Sequence, residues 1–84
     1  MKQNFVKIGN LDAVQVGNMS NHAKECLLYF LGVDVYGDSI LLKDMRKIYL
    51  EWVNNFLTIA RFCEFYDLPE KVAKKIIQFG RDHF

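Results

Sequence analysis

At 84 residues the chain has room for one domain, residues 1–84, with a small core. Hydrophobic residues make up 51% of it, charged residues 25% and aromatic residues 14%, a balance that excludes a disordered or low-complexity segment. The formal net charge is +1, from 11 Lys+Arg against 10 Asp+Glu, so bulk charge does not drive nucleic-acid binding, although a local basic stripe can.

No apolar run approaches the ~18 residues of a membrane span, so no membrane partner is expected. The chain has two cysteines, Cys26 and Cys63, and the opening "MKQNFVKIGN" lacks an apolar signal core. Both features point to a reduced, cytoplasmic protein, with the cysteines as small buried hydrophobes.

In "FVKIGNLDAVQVGN", Val6 and Ile8, then Val14 and Val16, alternate with polar residues. This pattern predicts a short hairpin turning around Asn10 to Asp12 and lying on a helical body. In "MSNHAKECLLYFLG", Ser20 or Asn21 caps a helix that Gly32 ends. Ala23, Cys26, Leu27, Phe30 and Leu31 share one face; Leu28 and Tyr29 lie off it. "VDVYGDS" is a connector in which Val33 and Val35 allow a short extended piece, and Asp38 or Ser39 is expected to cap the next helix.

That helix, in "SILLKDMRKIYLEWVNNF", carries Leu41, Met45, Ile48, Trp52 and Phe56 at helical spacing, widened by Leu42, Tyr49 and Val53. Lys47 and Glu51 are placed for an i,i+4 pair, and Asn54-Asn55 end the helix. Thr58 caps a helix over Ile59 to Tyr66, and Asp67 marks a turn. The spacing of Asp67 and Glu70 suits a capping box for the last helix, with Pro69 in its first turn. Val72, Ile76 and Phe79 face inward, while Lys71, Lys74, Lys75, Gln78 and Arg81 form an outward, largely basic stripe. That stripe reads either as a DNA or partner contact or as an ordinary solvated face. The expected fold class is α+β, mainly helical: a short N-terminal hairpin on about four helices, the last two arranged like a helix-turn-helix.

The stretch "LTIARFCEFYDLPEKVAKKIIQFGR" resembles the helix-turn-helix of excisionase-type and MerR-type DNA-binding domains, through Leu57, Thr58, Cys63, Leu68, Ile76, Ile77, Gly80 and Arg81. It is also similar to a pattern in small phage and prophage proteins. The first resemblance implies a DNA-binding regulator with Lys71, Lys74, Lys75 and Arg81 on the DNA. The second implies an accessory protein of the host-cell cytoplasm that inhibits or redirects a partner protein, an anti-CRISPR-like or other anti-defence inhibitor among the cases. Asp67 stands where the DNA-binding families carry a turn glycine, Glu70 would repel phosphate, and "DHF" offers no wing. The protein-binding reading is therefore the first expectation and DNA binding the alternative.

The aromatic belt of Tyr49, Trp52, Phe56, Phe62 and Phe65 reads as core, part of which can be an interface anchor. Tyr29, Tyr36 and Tyr49 are the aromatics expected at the surface. Surplus apolar surface also allows a homodimer. His22 and Cys26, four apart, can share a metal, but a closed zinc site needs four ligands and nothing clusters Cys63 or His83 with them. Cys26 with His22 or His83 could make a nucleophile pair, yet no orienting residue or oxyanion loop is recognisable. No cofactor, metal or catalytic activity is expected.

Overall fold

The computed structural model describes residues 5–84. Strands β1 (Phe5–Ile8) and β2 (Leu11–Gln15) precede helix α1 (Asn21–Leu31). Strands β3 (Val35–Tyr36) and β4 (Ser39–Leu41) follow, then helices α2 (Leu42–Asn55), α3 (Ile59–Tyr66) and α4 (Glu70–His83). The fold is α+β and mainly helical, as expected. The sheet is larger than the expected hairpin: four antiparallel strands in the order β1-β2-β4-β3.

The β1–β2 turn falls at Gly9-Asn10 rather than Asn10 to Asp12, because Ile8 pairs with Leu11 and Lys7 with Asp12. Gly9 supplies the positive φ (+62°) at the first turn position, as a tight hairpin of this hand requires. Asp12 is a strand residue whose Oδ1 lies 2.7 Å from Lys7 Nζ.

The connector holds a second hairpin that turns at Gly37-Asp38. Asp38 therefore caps no helix. Its backbone carbonyl accepts from Val16 N (2.8 Å) and Gly17 N (3.2 Å), and its carboxylate accepts from Gln15 Nε2 (2.7 Å) and Ser39 Oγ (3.1 Å). The Gln15 bond, foremost, holds this carboxyl below its ordinary range. Ser39 is likewise no cap. Ser39, Ile40 and Leu41 are all buried in β4, where Val14 pairs with Ile40, so α2 starts only at Leu42 and has no side-chain cap.

The other helix ends follow the side chains. Ser20 Oγ accepts from Ala23 N (3.1 Å), and Gly32 ends α1 in the left-handed conformation. Thr58 Oγ1 accepts from Arg61 N (3.2 Å). Asp67 closes α3 at φ +54°, a conformation that costs a residue with a Cβ about 1–2 kcal/mol. No capping box forms with Glu70: Pro69 takes the cap position of α4, and the Asp67 carboxylate turns toward α1 instead. The expected Lys47–Glu51 pair is also absent. Lys47 Nζ lies 3.6 Å from the buried Asp44, while Glu51 accepts from Asn55 Nδ2 (2.7 Å) and from the Tyr66 hydroxyl.

The core runs from Val14, Val16 and Ile40 of the sheet, through Met45 and Ile48 of α2, to Phe62 and Tyr66 of α3 and Ile76 and Phe79 of α4. Helix α4 crosses α2 at Gly80, which lies inside the helix rather than at its end, and the Tyr49 ring occupies the place of the missing Cβ. Tyr49 is thereby half-buried rather than displayed. Among the described residues no helix is long and apolar enough to cross a membrane.

Candidate protein-binding surface

Helix α1 packs on α3 along one seam. On α1 the seam carries His22, Cys26 and Phe30, spaced by four and so stacked on one face. On α3 it carries Phe65 and Tyr66, whose rings lie 5.2 and 6.2 Å from that of Phe30, followed by Asp67.

One end of the seam is aromatic. The Tyr29 and Phe30 rings meet edge-on at 5.0 Å, Phe30 and Phe65 lie 5.2 Å apart, and Phe65 is 5.7 Å from Phe56. Beneath them Phe62 and Tyr66 are fully buried, with Trp52 5.5 Å from Phe62. Burial, then the hydrogen bond to Glu51, pushes the Tyr66 phenol far above its ordinary range. The upper rings are not covered: Tyr29 is 83% exposed, Phe30 52% and Phe65 49%. The ridge is thus the outer half of an aromatic cluster whose inner half is core.

The ridge runs into an open groove at the α2–α3 junction. Phe56, Leu57 and Phe65 supply its apolar lining, with Arg61 and Glu64 among its polar groups; its volume is about 660 Å³. Leu57 precedes the cap Thr58, the position from which an apolar residue ordinarily packs onto the fourth helical residue, here Phe62. Trp52, Phe56 and Tyr66 already pack around that ring. Leu57 is left 98% exposed. Fully burying such a side chain is worth about 2 kcal/mol.

Of the tyrosines expected at the surface, Tyr29 forms the ridge, Tyr36 is exposed on β3 and Tyr49 is packed on Gly80. Phe30, Leu57 and Phe65 are ridge residues that spacing did not single out; Phe30 shares its helical face with core positions. The nearest sequence signal was the aromatic belt, which included Phe65 and part of which was open to being an interface anchor.

The α4 stripe is real as a surface: Lys71, Lys74, Lys75, Gln78 and Arg81 are all exposed. Lys74, Lys75, Gln78 and Arg81 line a shallow groove of about 460 Å³ with Ile59 and Ile77. Its charge is partly offset by Glu70, 3.4 Å from Lys74, while the uncharged Gln78 donates to Asp82 (3.0 Å) on the same helix.

The other end of the seam is polar. Asp67 Oδ2 accepts from Ser20 Oγ at 3.0 Å and lies 3.4 Å from His22 Nδ1. His22 Nε2 is 3.8 Å from Cys26 Sγ. An orienting carboxylate for His22 therefore exists, forty-five positions along the chain. Both cysteines are partly exposed free thiols rather than buried ones. His22 directs its two ring nitrogens at different partners, and among the described residues no group of three or more His, Cys, Asp or Glu converges on a metal position.

No protein-family model matches the chain, and neither does any curated protein or solved structure.

Proposed function

We propose that the chain is a non-enzymatic protein-binding module, a small accessory protein that inhibits or redirects a partner by engaging an apolar segment of it with the Tyr29–Phe30–Phe65 ridge and the Leu57 groove. The observation that carries this reading is the exposure of Leu57 and Tyr29 on one contiguous apolar surface. Aromatic anchors of this kind supply most of the energy of protein interfaces, commonly 2 kcal/mol or more each when truncated. The expected resemblance of the C-terminal stretch to a pattern in small phage and prophage proteins would put the target within a host cell, its defence proteins included.

The test is capture from host extract by the wild-type chain and by Leu57→Asp and Phe65→Asp. A defined protein should be held by the wild type and by Lys74→Glu/Lys75→Glu, and released by both ridge variants while their circular dichroism stays unchanged. Capture that is insensitive to the ridge, or no capture at all, rejects the proposal. A second copy of the chain is the competing occupant, and sedimentation equilibrium distinguishes it.

A second reading has its own observation, the uninterrupted exposure of Lys71, Lys74, Lys75, Gln78 and Arg81 along α4. In that reading α4 lies in the major groove of DNA as the reading helix of a transcriptional regulator. Duplex binding should then fall steeply with salt and with Lys74→Glu/Lys75→Glu. Absence of binding at low salt removes it.

A further inference from the structure

We propose that Cys26 is a nucleophilic thiol, with His22 as its base and Asp67 as the group that orients His22, and that it forms mixed disulfides with small-molecule disulfides. The inference rests on the polar end of the α1–α3 seam and is independent of what binds the ridge.

The geometry assigns each role. Asp67 Oδ2 lies 3.4 Å from His22 Nδ1, and a carboxylate can only accept a hydrogen bond there. The ring proton is thereby held on Nδ1, which leaves the Nε2 lone pair facing Cys26 Sγ at 3.8 Å. Ser20 Oγ donates to the same Asp67 oxygen and fixes the carboxylate against the start of α1. His22 and Cys26 stand four apart on one helix, so their approach does not depend on a loop. This order of thiol, imidazole and carboxylate is the arrangement that activates a cysteine nucleophile.

The surroundings choose the chemistry. Acyl transfer needs hydrogen-bond donors for an oxyanion. Cys26 lies in the interior of α1, where the neighbouring backbone N–H groups already serve the helix. Thiol–disulfide exchange needs no such donors, because the displaced charge leaves on sulfur. In the step, Cys26 gives its proton to His22 Nε2 and the thiolate attacks one sulfur of R–S–S–R. The Cys26 S–S bond forms as the R–S–S–R bond breaks, and the departing RS⁻ takes the proton back from His22. The products are the mixed disulfide and one RSH, with electrons and protons balanced.

Cys63 is the internal contrast. Burial, followed by the charge of Glu70, pushes its thiol up, which keeps it protonated and slow.

The experiment treats the folded chain with hydroxyethyl disulfide at neutral pH and follows each cysteine by peptide mass mapping. Cys26 should acquire the adduct roughly tenfold faster than Cys63, below the usual reach of a positioned base because the 3.8 Å contact is long. His22→Ala should slow Cys26 severalfold, toward the rate of an unassisted thiol, and free imidazole should restore part of the loss. Asp67→Asn should slow Cys26 by a smaller factor. An unchanged Cys63 rate in each variant reports that the fold is intact. Equal rates for the two cysteines in the wild type, or a Cys26 rate indifferent to His22→Ala, overturn the proposal. A loss that imidazole does not relieve also overturns it, since His22 is then a structural neighbour only. No effect of Asp67→Asn removes the role given to that carboxylate.

Discussion

Replacing Gly80 by alanine sets two effects of opposite sign against each other, and the structure decides between them. Inside a helix, alanine is favoured over glycine by about 0.8–1.0 kcal/mol. At Gly80, however, a Cβ would overlap Cγ and Cδ1 of Tyr49 and stand 2.7 Å from Cε1. Carbon atoms in contact rest about 3.5–4.0 Å apart, so the ring must withdraw by more than an ångström. Cγ is the root of the ring, so rotation about the Cβ–Cγ bond gives no relief; the rotamer or the α2 backbone has to move. Overpacking of this kind costs about 1–3 kcal/mol. With the propensity gain subtracted, Gly80→Ala should destabilise by up to about 2 kcal/mol, which at roughly 4–8 °C per kcal/mol for a chain of this size lowers Tm by up to roughly 8–16 °C. In a Tyr49→Ala background the obstruction is gone, and the same substitution should stabilise by up to about 1 kcal/mol. Urea unfolding followed by circular dichroism on the wild type, both single variants and the double variant completes the cycle. A Gly80→Ala substitution that stabilises the wild type, or that keeps one sign in both backgrounds, refutes the close crossing of α2 and α4.

Ser20→Ala should cost more than Thr58→Ala, for which about 1 kcal/mol is expected, because Ser20 both caps α1 and holds Asp67; equal losses in urea unfolding would count against the Ser20–Asp67 bond. Tyr66 should resist alkaline titration: its phenol keeps its proton in the folded chain above the ordinary value of 10.0, so this contribution to stability is whole below that pH and is lost as pH rises beyond it. Ultraviolet titration should therefore show one of the four tyrosines ionising only with unfolding, and Tyr66→Phe should abolish that late step.

Most helix ends were legible because a single local side chain marks them: Ser20 and Gly32 for α1, Thr58 and Asp67 for α3. The second hairpin was not. Its strands span two and three residues, and Ser39, Ile40 and Leu41 are all buried, so no alternation betrays β4. The apolar run Ile40-Leu41-Leu42 passes from strand into helix without a polar break. Asp38 and Asp67 both have the chemistry of helix caps, yet each serves a distant partner: Gln15 for Asp38, and Ser20 and His22 for Asp67. Periodicity placed Phe30 among core residues correctly by face but not by depth. Its exposure depends on where α3 ends its cover, and that is a tertiary fact. The basic face of α4 was fully legible because an amphipathic helix displays its polar side wherever it packs.

The exposed ridge also governs how the free chain behaves in solution. A net charge of +1 provides almost no long-range repulsion between copies, so nothing offsets the short-range attraction of Leu57, Tyr29 and Phe65. Colloidal stability is then a matter of concentration more than of ionic strength. The osmotic second virial coefficient of the chain should be low when the ridge is bare and should rise once it is occupied, which makes light scattering a readout of occupancy before any partner has been identified.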